Sequence, residues 1–297
     1  MTITISRRQA IAGALLAVPA VSALAGTAGA AAGGALEERL AELEARHEGR
    51  IGVAILNLAT GARLGHRVDE RFLMCSTFKA LLAGHVLARV DREEETLDRR
   101  IVVKASDLVD WSPVVEKRVG GAGISIAELC EATITLSDNA AANLLLAAFG
   151  GPKAVTQFLR GAGDEVTRLD RTEPTLNYHE APDDERDTTT PAAMAETLRK
   201  LIFGDVLSAR SKAQLAAWLV MNKTGDARLR AGFPADWMTG DKTGTNGDKH
   251  GNANDVAVAW SPDRGAVIVA AFCEMPGISG DARNAVIAGI GRIAAEV

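Results

Sequence analysis

The sequence predicts an α+β fold: an antiparallel five-stranded sheet built from the N- and C-terminal segments and flanked by helices, joined to a second, all-helical region. Three observations predict it. Two strand-length runs lie near the start of the chain and three near its end, helical patterns flank both groups, and the roughly 150 residues between them carry a 3.6-residue period with almost no alternation. The two ends of the chain must then meet in one sheet. The seam between that sheet and the helical region is where a small ligand would find a crevice.

The first element to set aside is residues 1–33, read as an export signal. Arg7-Arg8 stand just before the apolar run Ile11 to Leu24, which is short for a membrane span, and Ala23-Leu24-Ala25 and Ala28-Gly29-Ala30 match the small-residue pattern of signal cleavage. The arginine pair points to the twin-arginine route. This predicts an exported protein, periplasmic or secreted, with no stable membrane span after processing. Residues 34–297 form the domain, with a sheet part over 34–70 and 223–297 and a helical part over 71–222.

Leu36, Leu40 and Leu43 recur at helical spacing and predict a helix over about 35–48. Ile51 to Leu58 and Ala62 to Arg67 read as a hairpin across Ala59-Thr60-Gly61. A helix opens at Ser76 and continues through the apolar run Ala80 to Val90. In the middle, Ile124 to Thr135, Asp138 to Phe149, Lys153 to Leu159, Pro191 to Phe203 and Ser211 to Met221 are helical, and only Ile101-Val102-Val103 is strand-like. Between two of these helices, Asp164 to Thr190 is polar and without period. Loops of that length in a compact domain are uncommon and often functional. Trp237 to Lys242, Val256 to Trp260 and Ala266 to Phe272 are strands, the last two joined through Ser261-Pro262-Asp263-Arg264-Gly265, and Ala282 to Ala295 closes the chain as a helix.

With 297 residues, 47% of them hydrophobic, the chain can bury a sizeable core. Its formal charge is −5 and no basic block follows the N-terminus, so no nucleic-acid partner is expected and a small-molecule substrate is. Cys75, Cys130 and Cys273 are odd in number and sit in apolar contexts, which predicts no disulfide. The five histidines are scattered and no C-x-x-C pair occurs, so neither a metal site nor a cofactor is expected. A monomer is the simplest expectation.

Four short patterns carry chemistry. Ser76 and Lys79 stand at i and i+3, so a helix begun here puts a hydroxyl beside an amine on one face, next to the positive end of the helix. A serine hydroxyl becomes a good nucleophile when a neighbouring base takes its proton. Ser137-Asp138-Asn139 lies between two helices, where Ser137 alone reads as an N-cap. Arg171-Thr172-Glu173-Pro174-Thr175-Leu176-Asn177 occupies the long polar loop, and Lys242-Thr243-Gly244-Thr245 ends a strand, where a lysine also protects a sheet edge.

In this order and at these separations, S-x-x-K, S-D-N and K-T-G resemble the serine β-lactamases of class A. The resemblance covers the chain beyond residue 33: Asn143 with Leu144-Leu145-Leu146, Gly150-Gly151-Pro152, Asp183 to Thr189 and Asn254 to Val258 follow the same pattern. It implies a β-lactamase/transpeptidase-like fold and hydrolysis of penicillin- or cephalosporin-type β-lactams through a serine acyl-enzyme. Ser76 is then the nucleophile, Lys79 or Glu173 the base of acylation, Glu173 the base of deacylation with Asn177 holding the water, and Ser137 the proton donor to the lactam nitrogen beside Lys242. The backbone N–H groups of Ser76 and Thr245 would form the oxyanion hole. Asn139, Thr243, Gly244, Thr245 and Arg228 would bind substrate, with Trp111 at the cleft mouth; Arg171 and Asp187 would close the loop as an ion pair. Where disulfide-braced carbapenem hydrolysers have a cysteine, Asn246 stands here, so carbapenem hydrolysis is not expected. Related fates of the same chemistry are a D-alanyl-D-alanine peptidase-type penicillin-binding protein, a serine amidohydrolase such as a glutaminase, and a β-lactam sensor that stays acylated; Glu173 and Asn177 favour turnover.

Overall fold

In the computed structural model, which describes residues 34–181, 183–247 and 250–297, the two ends of the chain meet in one sheet. Residues 1–33, read as the export signal, lie outside the described residues. Helix α1, residues 34–45, leads into β1 (Arg50–Asn57) and β2 (Arg63–His66). Then come β3 (Phe72–Leu73), α2 (Phe78–Asp91), β4 (Arg100–Ile101), β5 (Ile124–Ser125), α3 (Ile126–Thr135), α4 (Asn139–Ala148) and α5 (Gly151–Gly161). The chain continues through β6 (Thr188–Thr189), α6 (Pro191–Phe203), α7 (Ala209–Val220), α8 (Leu229–Gly232), β7 (Met238–Thr245), β8 (Asn252–Ser261), β9 (Gly265–Glu274) and α9 (Gly280–Ala294).

The five-stranded sheet has the order β2-β1-β9-β8-β7, every neighbouring pair antiparallel. Successive side chains of β1 go to opposite cores: Ile51, Val53 and Ile55 join Leu40 of α1 and Ile287 and Ile290 of α9, while Ala54 and Leu56 join the core of the helical region. Both faces are covered. That is why these strands read as continuous apolar runs rather than alternating ones. Helix α2 runs through the middle of the helical region, with every residue from Phe78 to Ala88 buried, which accounts for an apolar pattern all round.

Some details differ from the reading of the sequence. The helix expected from Ser76 starts with a 3₁₀ turn, Cys75–Thr77, and α2 proper begins at Phe78. Ser137 is not the cap of α4; the Asp138 carboxylate accepts from Ala141 N and fills that role, while Ser137 takes a left-handed φ of 58°. Strand β7 extends to Thr245, so Lys242 to Thr245 lie inside it. The loop Asp164 to Thr190 is tied at its base. Asp187 accepts main-chain N–H bonds from Asp170 and Arg171 and a 2.6 Å bond from Arg171 Nε, and β6 pairs with β3 immediately before the Ser76 turn.

Candidate active site

The turn carrying Ser76 is held against the sheet from two sides. Asn254 of β8 donates its Nδ2 to the carbonyls of Leu73 and Met74, at 2.8 and 3.1 Å. On the edge strand, Gly244 passes so close that a Cβ there would come within 2.7 Å of Met74 O and 3.1 Å of Ser76 N. Only glycine permits that approach. Cys75, at φ 45°, opens the 3₁₀ turn, and Ser76 in its middle lines the cleft.

Ser76 Oγ donates to Glu173 Oε1 at 3.1 Å, and Lys79 Nζ lies 3.0 Å from the same oxygen. The side chains of Lys79 and Glu173 are both fully buried. Lys79 Nζ also reaches Ser137 O at 2.9 Å, Ser137 Oγ at 3.3 Å and Asn139 Oδ1 at 2.5 Å. From the sheet side, Lys242 Nζ donates to Ser137 Oγ at 3.1 Å and to Thr243 O at 2.7 Å. Two buried amines thus converge on one hydroxyl. Burial pushes the Lys79 ammonium below its ordinary pKa despite the opposing pull of Glu173, and burial together with the charge of Lys79 holds Lys242 well below its own.

The other oxygen of Glu173 accepts from Asn177 Nδ2 at 2.6 Å, and the Asn177 Oδ1 is buried without a hydrogen-bond partner. The main chain of Glu173 is clasped by one side chain: Asn143 accepts from Glu173 N at 3.0 Å and donates to Glu173 O at 2.9 Å. The Glu173–Pro174 peptide is cis.

Asn246 N donates to Asn252 O, so alternation along the β7–β8 ladder leaves the Thr245 N–H and the Thr243 main chain pointing away from β8. Lys242 Nζ on Thr243 O fits that direction. Arg228 is not a surface arginine: 8% exposed, it donates to Gly244 O, Asn254 O, Thr245 Oγ1 and Asn284 Oδ1 at 2.6–2.9 Å. A guanidinium carries five N–H groups, so one remains beyond these four contacts, and the residue lines the cleft. Trp111 is 64% exposed, takes φ 63° and donates Nε1 to Leu136 O, which places its ring at the mouth and not in the core. Asn139 bonds Lys79 through Oδ1 and Asp110 O through one Nδ2 proton.

A cleft of about 470 Å³ brings together Ser76, Trp111, Ser137, Asn139, Glu173, Asn177, Arg228, Thr243, Gly244 and Thr245, with Lys79 and Lys242 beneath it. The residues given catalytic or substrate-binding roles from the sequence therefore converge, while Arg171 and Asp187 pair at the base of the loop. Three supporting residues were given no role there: Asn143, Thr224, whose hydroxyl lies 2.5 Å from that of Thr243, and Asp138, which also accepts from Val114 N and Val115 N. Asn143 had a visible signal, a lone amide inside the apolar stretch Ala140 to Ala148.

A serine hydroxyl on a buried carboxylate oxygen that a buried lysine shares, with a second serine between two amines, at the seam of a sheet and a helical region, defines a serine hydrolase of the acyl-transfer type. The chain belongs to the class A serine β-lactamases, enzymes that hydrolyse β-lactam antibiotics and confer resistance to them. The model of the Beta-lactamase enzyme family matches residues 35–297. The β-lactamase L2 of Stenotrophomonas maltophilia is 50% identical over 255 residues, covering 86% of this chain and 83% of its own. The β-lactamase OXY-2 of Klebsiella oxytoca is 45% identical over 262 residues, 88% and 89% of the two chains. Among solved structures, an ancestral class A β-lactamase (GNCA) superposes with a TM-score of 0.85 at 63% identity, covering 88% of this chain and 99% of that one.

Proposed function

We propose that Ser76 is the nucleophile that opens the β-lactam amide and that Glu173 supplies the base that later frees it. The observation that carries this reading is the shared oxygen: Glu173 Oε1 meets both Ser76 Oγ and Lys79 Nζ, while Oε2 is fixed by Asn177. In acylation the Ser76 oxygen bonds to the lactam carbonyl carbon, its proton passes into the Lys79–Glu173 pair, and the carbon–nitrogen bond breaks. Ser137 gives its proton to the departing nitrogen and is recharged from the amines of Lys79 and Lys242 on either side. In deacylation a water gives a proton to Glu173 and its oxygen bonds to the acyl carbon; the bond from that carbon to Ser76 Oγ then breaks, and Ser76 takes the proton back from the Glu173–Lys79 pair. The unpartnered Asn177 Oδ1 is a ready acceptor for that water.

The negative charge on the carbonyl oxygen is met by the N–H groups of Ser76 and Thr245; removal of one such donor in other enzymes costs about 3–4 kcal/mol. Asn139 keeps one Nδ2 proton for the substrate's side-chain amide. Arg228, Thr243 and Thr245, with Gly244 allowing close approach, receive the substrate carboxylate, and Trp111 closes the mouth of the cleft. The reading extends to an exported enzyme, released by cleavage of the twin-arginine signal within residues 1–33, that works as a monomer with no nucleic-acid partner, in keeping with its −5 charge. Among the described residues no helix is long and apolar enough to cross a membrane.

A chromogenic cephalosporin tests the turnover. The purified mature protein is expected to consume many equivalents. A single stoichiometric burst would instead identify a sensor or a peptidase-type penicillin-binding protein.

A further inference from the structure

Beneath the carboxylate-receiving end of the cleft lies Asp255, a fully buried acid that the chemistry above does not use. It stands on β8 directly across from Thr243, on the face that carries Arg228. A buried cation, Arg228, lies on the same side of the sheet, yet among the described residues Asp255 makes no ion pair. Its one hydrogen bond goes to the main chain: Oδ2 accepts from Leu229 N at 3.0 Å, and Oδ1 has no partner. Leu229 follows Arg228 and opens the short helix α8, so this contact pins the turn from which the guanidinium reaches Thr245.

We propose that Asp255 is a positioning residue for the substrate carboxylate: it fixes the Arg228 turn against β8 by accepting the Leu229 N–H, and it acts through that hydrogen bond and not as the counterion of Arg228. On its side of the sheet stand Asp241 and Arg228, while Lys242 turns to the other face towards Ser137, and the fold holds its carboxyl well above the usual range, first through burial and then through Asp241. A neutral acid in this place presents a carbonyl oxygen to Leu229, which an asparagine amide reproduces.

The proposal rests on Arg228 as a carboxylate ligand, and the variants separate the two claims. With benzylpenicillin, Arg228→Ala is expected to raise KM about tenfold with kcat little changed; an unchanged KM would remove the role of Arg228 and the proposal with it. Given that effect, Asp255→Ala is expected to raise KM by a similar factor, Asp255→Asn to stay within about twofold of wild type, and the Arg228→Ala/Asp255→Ala double variant to lose no more than Arg228→Ala alone. The proposal is overturned if Asp255→Asn fails like Asp255→Ala, if Asp255→Ala leaves KM unaltered, or if the double variant loses the product of both factors. Should Asp255→Ala not fold, the pH profile of kcat/KM for Asp255→Asn decides: superposition on wild type is expected, and divergence contradicts it.

Discussion

Lys79 Nζ lies 3.0 Å from Glu173 Oε1, and neither side chain touches solvent. The amine arrives from the central helix and the carboxylate from a loop about a hundred residues away, so in the proposed mechanism the pair joins the element that makes the acyl bond to the element that breaks it. Ser76 donates to the same oxygen, so in the proposed mechanism that single atom is where the two half-reactions meet.

Ser137 stands between the two amines and is the only route by which their protons reach the leaving nitrogen in this scheme. Ser137→Ala should slow acylation by about 10²-fold or more, the usual reach of a positioned proton donor, with deacylation much less affected. Stopped-flow acylation against single-turnover deacylation separates the two; equal losses in both would argue against the assignment.

Asn143 holds the main chain of Glu173 by both its N–H and its C=O. Asn143→Ala leaves those groups unpaired, at about 1–3 kcal/mol each if they stay buried. Urea denaturation should report the lost stability, and deacylation should fall further than acylation because Glu173 loses its register over the cleft. A variant with wild-type deacylation would show that the loop holds itself.

Gly244→Ala puts a methyl group within 2.7 Å of Met74 O. Either β7 or the Ser76 turn must move, and a shift of about 1 Å at a reacting centre can cost 10²-fold. Acylation kinetics on a penicillin are the check. Near-wild-type rates would mean that the strand yields without disturbing Ser76.

Lys242 carries a stability signature. Its folded-state pKa is well below the ordinary lysine value through burial and the charge of Lys79. Between the two values the unfolded chain binds the additional proton, so stability rises with pH. Relative to Lys242→Met, wild type should therefore gain stability as the pH is raised towards about 10.4, the unfolded value. Denaturant titrations of both proteins at several pH values measure this, and a constant difference would contradict the depressed amine.

The legible parts of this molecule were those with local causes. Helix α6 was read to its boundaries, Pro191–Phe203, because Thr190 accepts from Ala193 N as its cap and a proline follows at the first helical position. The sheet strands were legible because two covered faces leave long apolar runs. The convergence of Ser76 with Glu173 is a different matter: no period links residues 97 apart, and only the joint order of four motifs pointed to it. Arg228 gave no sign of burial, since its acceptors are carbonyls of β7 and β8 and the side chain of Thr245, brought to it by the fold. The two-residue strands β3 and β6 are equally silent in sequence, although they set the base of the Glu173 loop beside the Ser76 turn.

In the proposed mechanism the chain turns over because Glu173 serves the acyl group on Ser76. Intact-protein mass spectrometry of Glu173→Ala after mixing with a penicillin measures it directly. An adduct of the full mass of the penicillin is expected to persist and to map to the peptide containing Ser76, while the wild type returns to its free mass. Wild-type turnover by the variant, or an adduct on another residue, would contradict it.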